Sequence, residues 1–179
     1  MMQDKHEQIV LGGGCFWCTE AVFDLVEGVI SAAPGYAGGW ANDPGYDEVC
    51  RGNTGHAEVV SVEYDPELVS LEKLLDIFFA SHDPTTLNRQ GTDTGTQYRS
   101  IILYASEEQK TKVVAYLEKL KGDYNKPVVT EVGALERFYP AEEYHRRYFE
   151  KNPGQGYCRA VVAPKVDKIK KKLAARELR

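Results

Sequence analysis

Hydrophobic residues along this chain fall into short alternating runs and helical stripes, which predict a mixed order of strands and helices. Strands are expected at 9–11, 29–33, 57–64, 101–104 and 128–132, with a last fragment at 161–162. Helices are expected after 15, after 70, after 106 and after 140, and over the basic segment from 165 to 173. This order favours an α+β fold, a two-layer sandwich in which amphipathic helices flank a mixed β-sheet.

Polar residues mark two helix starts and two loops. Ser70 is a predicted N-cap, and Ser106 with Gln109 matches a capping box. The loop 34–46 is rich in Gly, Pro and Tyr, and the polar loop 81–98 is long for a connection in a compact domain. The length of the loop 81–98 therefore points to a functional role.

Length and composition predict one domain. The chain has 179 residues, of which 42% are hydrophobic, enough for one core and no second one. We expect a single catalytic domain over 1–179, with a core at about 9–165 and a C-terminal basic helix or tail at 166–179.

Charge and targeting signals exclude several partners. The net charge is −5, from 22 basic and 27 acidic residues, and no basic stripe with interleaved aromatics is present, so nucleic acid is not an expected partner. No apolar stretch is long enough to span a membrane, and the polar residues 1–8 do not resemble a signal peptide. We expect a cytoplasmic protein whose four cysteines are catalytic or metal-binding rather than a disulfide framework.

The segment 12–20, GGGCFWCTE, places Cys15 behind three glycines and at the start of a predicted helix. Free N–H groups and the positive end of the helix dipole favour a thiolate there, and a thiolate is the attacking form. A small cysteine packed under a strand-to-helix corner is the alternative, since free cysteine is often buried.

Cys15 and Cys18 form a C-x-x-C pair that is compatible with several kinds of chemistry. The pair could exchange disulfides, although Phe16-Trp17 is bulkier than such motifs usually contain. It could form half of a zinc site, although the other two cysteines are isolated in sequence. A cysteine hydrolase could use His56, His82 or His145 as its base.

Two further motifs favour one family. The segment 46–58, YDEVCRGNTGHAE, and the loop 91–100, GTDTGTQYRS, together with Gly14-Cys15-Phe16-Trp17, closely resemble peptide methionine sulfoxide reductase A. The resemblance extends from about 9 to 165 and depends on three separate motifs. It implies repair of one epimer of methionine sulfoxide, the S-epimer, free or in oxidised proteins.

The resemblance also implies roles for individual residues. Cys15 matches the attacking cysteine, and Glu58 matches the proton donor to the sulfoxide oxygen. Tyr46 and Tyr98 match the phenols that hydrogen-bond this oxygen. A carboxyl group in an apolar site can stay protonated near neutral pH, and phenols donate without carrying charge.

Substrate contacts are implied by the same resemblance. Phe16 and Trp17 match an aromatic wall for the substrate's methyl group, for which two aromatic rings are suited. Asp93 matches a residue that holds the substrate's main-chain amide.

Recycling of the enzyme requires a second thiol. Family chemistry leaves Cys15 as a sulfenic acid, which condenses with a thiol to a disulfide. Cys158, in a glycine-rich segment expected to be mobile, resembles the resolving cysteine and is preferred over Cys18, which replaces a common glycine. Cys18 could also bridge Cys15, three residues away on one helix. Cys50 is expected to be structural, with a third relay position as the alternative.

The sequence thus predicts an oxidoreductase, a peptide-methionine (S)-S-oxide reductase that repairs oxidative damage, with no metal or bound cofactor. Thioredoxin, or dithiothreitol in vitro, is the expected external reductant, and a monomer is expected. The remaining alternatives are a general thiol-disulfide oxidoreductase using Cys15 and Cys18 and a non-enzymatic zinc-binding module.

Overall fold

The structure is a computed structural model that describes residues 5–178. The strands are β1 (Glu7–Gly12), β2 (Val29–Ala37), β3 (Ala57–Tyr64), β4 (Arg89–Gln90), β5 (Asp93–Thr94), β6 (Ile101–Tyr104), β7 (Glu131–Ala134) and β8 (Phe138–Pro140). The helices are α1 (Phe16–Phe23), α2 (Tyr46–Cys50), α3 (Leu71–Ser81), α4 (Glu107–Leu120), α5 (Tyr148–Lys151) and α6 (Ala163–Ala174). None of the helices within 5–178 has the length and apolar character needed to cross a membrane.

Six strands form one mixed sheet in the order β7-β6-β1-β3-β2-β8. All neighbours are antiparallel except β6 and β7, which run parallel. Strands β4 and β5 form a separate small hairpin. The predicted mixed sheet and α+β class are confirmed.

Alternation along the central strands separates the two faces of the sheet. Ile9 and Leu11 of β1 face one cluster, whereas Val10 faces another. The first cluster also contains buried side chains from four helices: Phe23 of α1, Leu74 of α3, Val113 of α4 and Ile169 of α6. The second cluster is smaller and is covered by Leu135 and Phe138. The helices therefore cover one face, which gives the expected two layers.

Both predicted helix caps are present. Ser70 Oγ accepts a hydrogen bond from the backbone N–H of Lys73 at 3.1 Å, and Ser106 Oγ accepts one from Gln109 at 3.2 Å. The side chain of Gln109 accepts from the backbone N–H of Ala105 at 2.8 Å. The two serine bonds satisfy N–H groups that the first helical turn leaves without partners, whereas the Gln109 side chain bonds the residue before the N-cap, so only the Ser106 half of the predicted capping box is formed.

Two predictions in the C-terminal third are wrong. Pro140 ends β8 instead of opening a helix, and the chain then forms a 3₁₀ turn (Glu143–His145) and the single-turn α5. Arg147 has φ 51 and separates these two turns. Val161 and Val162 lie in a π-helical turn (Cys158–Val162), not a strand. Pairing of β8 with β2 is a long-range contact that local patterns do not encode.

Two predicted boundaries also shift. Strand β2 continues through Pro34 to Ala37, since it pairs with β3 along its length and with β8 at its end. Strand β7 occupies 131–134 rather than 128–132. The loop 81–98 contains the β4-β5 hairpin and a 3₁₀ turn (Thr96–Tyr98). Its His82 and Gln90 lie against Gly13 and Gly14, just after the end of β1.

Candidate active site

The sulfur of Cys15 lies where glycines turn the chain from β1 into α1. Cys15 is the N-cap of α1, as predicted, and its side chain is partly exposed. Gly14 has φ +95, which side chains rarely adopt, and a Cβ on Gly13 would lie 2.8 Å from the His82 ring. The glycines thus permit the tight turn that presents the thiol.

Glu58 on β3 is a buried acid at the same helix end. Its side chain is 2% exposed, and Oε2 accepts a hydrogen bond from the backbone N–H of Phe16 at 3.1 Å. Burial raises the pKa of Glu58 to about 8. The hydrogen bond from the Phe16 N–H lowers this pKa, and the charge of Asp93 raises it, but both effects are smaller than that of burial. Glu58 therefore retains its proton near neutral pH, as expected for a proton donor.

The expectation of a resting thiolate at Cys15 is wrong. Burial, followed by the charges of Glu58 and Cys18, raises the pKa of the Cys15 thiol well above its usual value. The backbone N–H of Trp17 and the hydroxyl of Tyr157 lower this pKa, but by less. The loss of water around the sulfur raises the pKa more than the helix N-terminus lowers it, so Cys15 is a thiol in the free protein.

The charge of the buried acid influences two phenols. Tyr46 begins α2, Tyr98 ends the 3₁₀ turn, and both are partly exposed. Burial is the main reason why the pKa of both hydroxyls is raised. The next largest cause is the hydrogen bond to the Cys50 sulfur at Tyr46 and the charge of Glu58 at Tyr98. The charge of Cys15 also raises the pKa of Tyr98. Both phenols therefore remain protonated donors within electrostatic reach of Glu58.

Tyr157 is a site residue that the sequence reasoning missed. Its hydroxyl donates a short hydrogen bond to Asp93 Oδ2, and its ring meets Trp17 edge-on with centroids 5.9 Å apart. The same hydroxyl lowers the pKa of both Cys15 and Cys18, which burial raises. Its one sequence signal is an aromatic residue next to a candidate cysteine in a glycine-rich segment.

The two predicted wall residues have different environments. Phe16 is 1% exposed and packs against the rings of Tyr36 and His145, with centroids 5.8 and 4.9 Å away. Trp17 is partly exposed and stacks on Tyr148 at 3.7 Å. Trp17 is thus the accessible member of the pair, and Phe16 is buried.

Cys18 and Cys158 are buried thiols in one cluster that Cys15 touches. Burial raises the pKa of Cys18 to about 11, and the neighbouring Cys158 contributes to that shift. Cys158 lies within the π-helical turn and is fully buried, and the mobility expected of its segment stays a prediction. Cys50 ends α2, partly exposed and beside the Tyr46 hydroxyl.

Each of the three candidate histidine bases is hydrogen-bonded to a group other than a cysteine. His56 accepts from the backbone N–H of Gly39 at 3.0 Å and donates to the Ala41 carbonyl at 2.7 Å. His82 donates to the Phe78 carbonyl at 2.7 Å, and His145 accepts from the Trp17 indole. Over residues 5–178, no three His, Cys, Asp or Glu side chains cluster in a way that could hold a metal ion.

Comparisons with known proteins identify the family that the chain resembles. The family model described as peptide methionine sulfoxide reductase matches residues 7–178. A curated relative, peptide methionine sulfoxide reductase MsrA of Nautilia profundicola, is 61% identical over 162 residues, covering 90% of this chain and 93% of the relative.

Solved structures of yeast Mxr1 are also similar. Reduced Mxr1 from Saccharomyces cerevisiae superposes with a TM-score of 0.82 at 37% identity, covering 86% of this chain and 90% of Mxr1. Mxr1 in complex with Trx2 matches with a TM-score of 0.58 at 25% identity, covering 80% and 85% of the two chains. The fold, the sequence identity and the matched length lead to one conclusion: this chain belongs to the peptide methionine sulfoxide reductase family and is a thiol-dependent methionine sulfoxide reductase.

Proposed function

We propose that the enzyme reduces the S-epimer of methionine sulfoxide, free or in proteins, with Cys15 as the attacking sulfur and Glu58 as the proton donor. One observation carries the proposal: a thiol at the N-terminus of α1 shares its helix end with a buried acid of raised pKa. A sulfoxide needs both groups at once, since its sulfur is attacked while its oxygen gains a proton.

The reaction balances as an oxygen transfer. The Cys15 sulfur attacks the sulfoxide sulfur, and Glu58 gives its proton to the sulfoxide oxygen. The S–O bond to the substrate breaks, methionine leaves, and Cys15 holds the oxygen as a sulfenic acid. Glu58 regains its proton from the Cys15 thiol, so the acid is unchanged and the sulfur of Cys15 is oxidised while that of the substrate is reduced.

The remaining site residues orient the substrate. Tyr46 and Tyr98 donate hydrogen bonds to the sulfoxide oxygen, which their raised pKa values support. Trp17 encloses the methyl group together with the buried Phe16, and Asp93 accepts from the substrate's main-chain amide. Because Tyr157 also uses one oxygen of Asp93, substrate binding and Tyr157 share this carboxylate.

The buried cysteines favour a relay in which Cys18 acts before Cys158. Cys18 lies on α1, three residues after Cys15. Cys158 is in the same buried cluster and is close enough to raise the pKa of the Cys18 thiol. Condensation of the Cys15 sulfenic acid with Cys18 releases water and forms a disulfide. Attack by Cys158 on the Cys18 sulfur then forms the Cys18–Cys158 disulfide and frees Cys15. This order reverses the preference that the sequence favoured.

An external dithiol must reduce the final disulfide, and we propose thioredoxin in this role. The similar Mxr1 has been solved in complex with Trx2, which supports a thioredoxin partner. A bound cofactor is not needed for these steps, since all electrons come from thiols. A cytoplasmic location, a single catalytic domain and a monomeric state stay predictions.

Epimer-resolved turnover with dithiothreitol tests the reaction. We expect the S-epimer to be consumed and the R-epimer to be spared. Cys15→Ser must abolish turnover, while the matched control Cys50→Ser, also partly exposed and beside Tyr46, must retain it. Full activity of Cys15→Ser, or reduction of insulin disulfides in place of sulfoxides, contradicts the assignment.

Mass mapping of disulfides tests the relay. After one turnover without reductant, Cys158→Ser should carry a Cys15–Cys18 disulfide, and Cys18→Ser should stop at the sulfenic acid, trapped by dimedone. A Cys15–Cys158 disulfide forming at the normal rate in Cys18→Ser would instead make Cys158 the direct resolving thiol.

A further inference from the structure

The indole of Trp17 is held on two sides by one segment, residues 142–148. Its Nε1–H donates to Nδ1 of His145 at 3.0 Å. One face of the indole stacks on Tyr148, with centroids 3.7 Å apart and an interplanar angle of 6°. The indole is thus held at its edge by His145 and on one face by Tyr148, while it also meets the ring of Tyr157 edge-on and stays partly exposed.

His145 stands between the aromatic wall and one of the phenols. Its side chain is 1% exposed, and its ring lies 4.9 Å from that of Phe16 and 4.6 Å from that of Tyr46. A single buried ring therefore contacts Phe16, Trp17 and Tyr46. Any shift of this ring changes the distance between the wall and the phenol.

Hydrogen-bond chemistry assigns the tautomer of His145. An indole N–H only donates, so Nδ1 of the imidazole accepts and the ring proton lies on Nε2. Nε2 is buried and has no hydrogen-bond partner among the described residues; the carboxylate Oε2 of Glu142 is 3.6 Å away. A buried donor without a partner is costly, which indicates that the ring is kept in place for its other contacts.

Glu142 links the same segment to the phenol side. Its Oε1 accepts from the backbone N–H of Tyr46 at 2.9 Å, and its Oε2 accepts from the Tyr36 hydroxyl at 2.7 Å. Segment 142–148 thus bonds both Trp17 and Tyr46, which lie far apart in sequence. The positions of Trp17 and Tyr46 are therefore coupled through this segment.

We propose that His145 is a positioning residue that fixes the Trp17 indole and thereby restricts the sulfoxide's smaller substituent to a methyl group. The inference rests on the proposed function, in which Trp17 borders the methyl site. A pocket that rejects one additional methylene discriminates by roughly tenfold to two-hundredfold, provided that its wall cannot move. The bond to His145 fixes the edge of the indole, and the stack on Tyr148 fixes one face.

The ratio of kcat/KM for methionine S-sulfoxide to that for ethionine S-sulfoxide tests this role. In His145→Leu, which removes the acceptor, we expect the ratio to fall about tenfold. In His145→Asn, whose side-chain oxygen can accept near the Nδ1 position, we expect most of the ratio to be retained. Trp17 fluorescence, read in a Trp40→Phe background, should shift in the Leu variant and not in the Asn variant; Trp40 is exposed and outside the site.

Three outcomes overturn the proposal. The first is a lower melting temperature of His145→Leu with an unchanged ratio, which indicates a structural role only. The second is equal loss in the Asn and Leu variants. The third outcome applies if the Leu variant does not fold, and it uses Trp17→Phe, which lacks the indole donor. Adding His145→Asn to Trp17→Phe should leave the ratio unchanged. A further fall in the ratio contradicts the proposal.

Failure of the underlying site is separable from failure of this inference. Trp17→Ala should abolish the discrimination between methyl and ethyl sulfoxides. If Trp17→Ala retains it while sulfoxide turnover continues, the methyl site is elsewhere and the assignment of Trp17 is at fault. If Trp17→Ala loses it and His145→Leu does not, His145 has no positioning role.

Discussion

Replacing Glu58 by Gln should stabilise the folded protein at alkaline pH while removing most of the turnover. In the folded protein, burial raises the pKa of this carboxyl from 4.5 to about 8. In the unfolded chain the same group titrates near 4.5, so between these values the folded state binds the additional proton. The stability associated with Glu58 is therefore complete below about pH 4.5 and is lost as the pH rises through about 8.

The magnitude is set by the shift. One pKa unit corresponds to about 1.4 kcal/mol, so a rise from 4.5 to about 8 costs the wild type on the order of 5 kcal/mol across this window. Gln stays neutral at every pH and keeps an oxygen that can accept from the Phe16 N–H, so it avoids this loss. We expect the two proteins to be similarly stable at low pH and to diverge as the pH rises.

Urea unfolding at about pH 5 and about pH 8.5 measures the divergence. Glu63→Gln is the matched control, because Glu63 lies on the same strand but contacts His6 and Ser31 at the surface. In parallel, sulfoxide turnover of Glu58→Gln should fall roughly a hundredfold or more, since a proton donor is lost. If Glu58→Gln and the wild type lose stability in parallel between the two pH values, Glu58 is not a buried acid of raised pKa.

Further predictions concern the thiol, the sheet and one cap. Tyr157→Phe should slow alkylation of Cys15 by iodoacetamide, because the hydroxyl that lowers the thiol's pKa is gone; unchanged alkylation rates would contradict this. Gly35→Ala should lower the free energy of unfolding by about 1–3 kcal/mol in urea, because a Cβ there meets the backbone and ring of strand β8. Ser70→Ala should cost about 1 kcal/mol by the same measurement with turnover unchanged, since the cap of α3 lies away from the site.

Local patterns determined most of the central elements. Strand β3 has its predicted bounds, and Ser70 and Ser106 begin the helices they were expected to begin. These features depend on neighbouring residues, since alternation and capping act within a few positions. In contrast, Pro140 lies in a strand because β8 pairs with β2, which is distant in the chain, and no local pattern indicates this pairing.

The motifs likewise indicated the chemistry but not its electrostatics. Cys15 at a helix N-terminus is explained by the glycine-rich turn, and its family by three motifs. Whether the thiol is ionised depends on water exclusion and on the charge of Glu58, which the fold brings to the site from strand β3. The helix N-terminus alone predicts a lowered pKa and a thiolate, whereas burial raises the pKa and keeps the thiol protonated.

The sequence by itself determined which residue types carry the reaction, because thiol, acid and phenols are fixed by covalent identity and their motifs are local. Only the tertiary structure decided the neighbours of these groups: Tyr157 on Asp93, His145 on Trp17, and Cys158 buried beside Cys18. Those pairings join residues from separate elements, and pKa values and side-chain positions depend on solvent exclusion and distance. Such quantities exist once the sheet and helices have packed, and no stretch of sequence contains them.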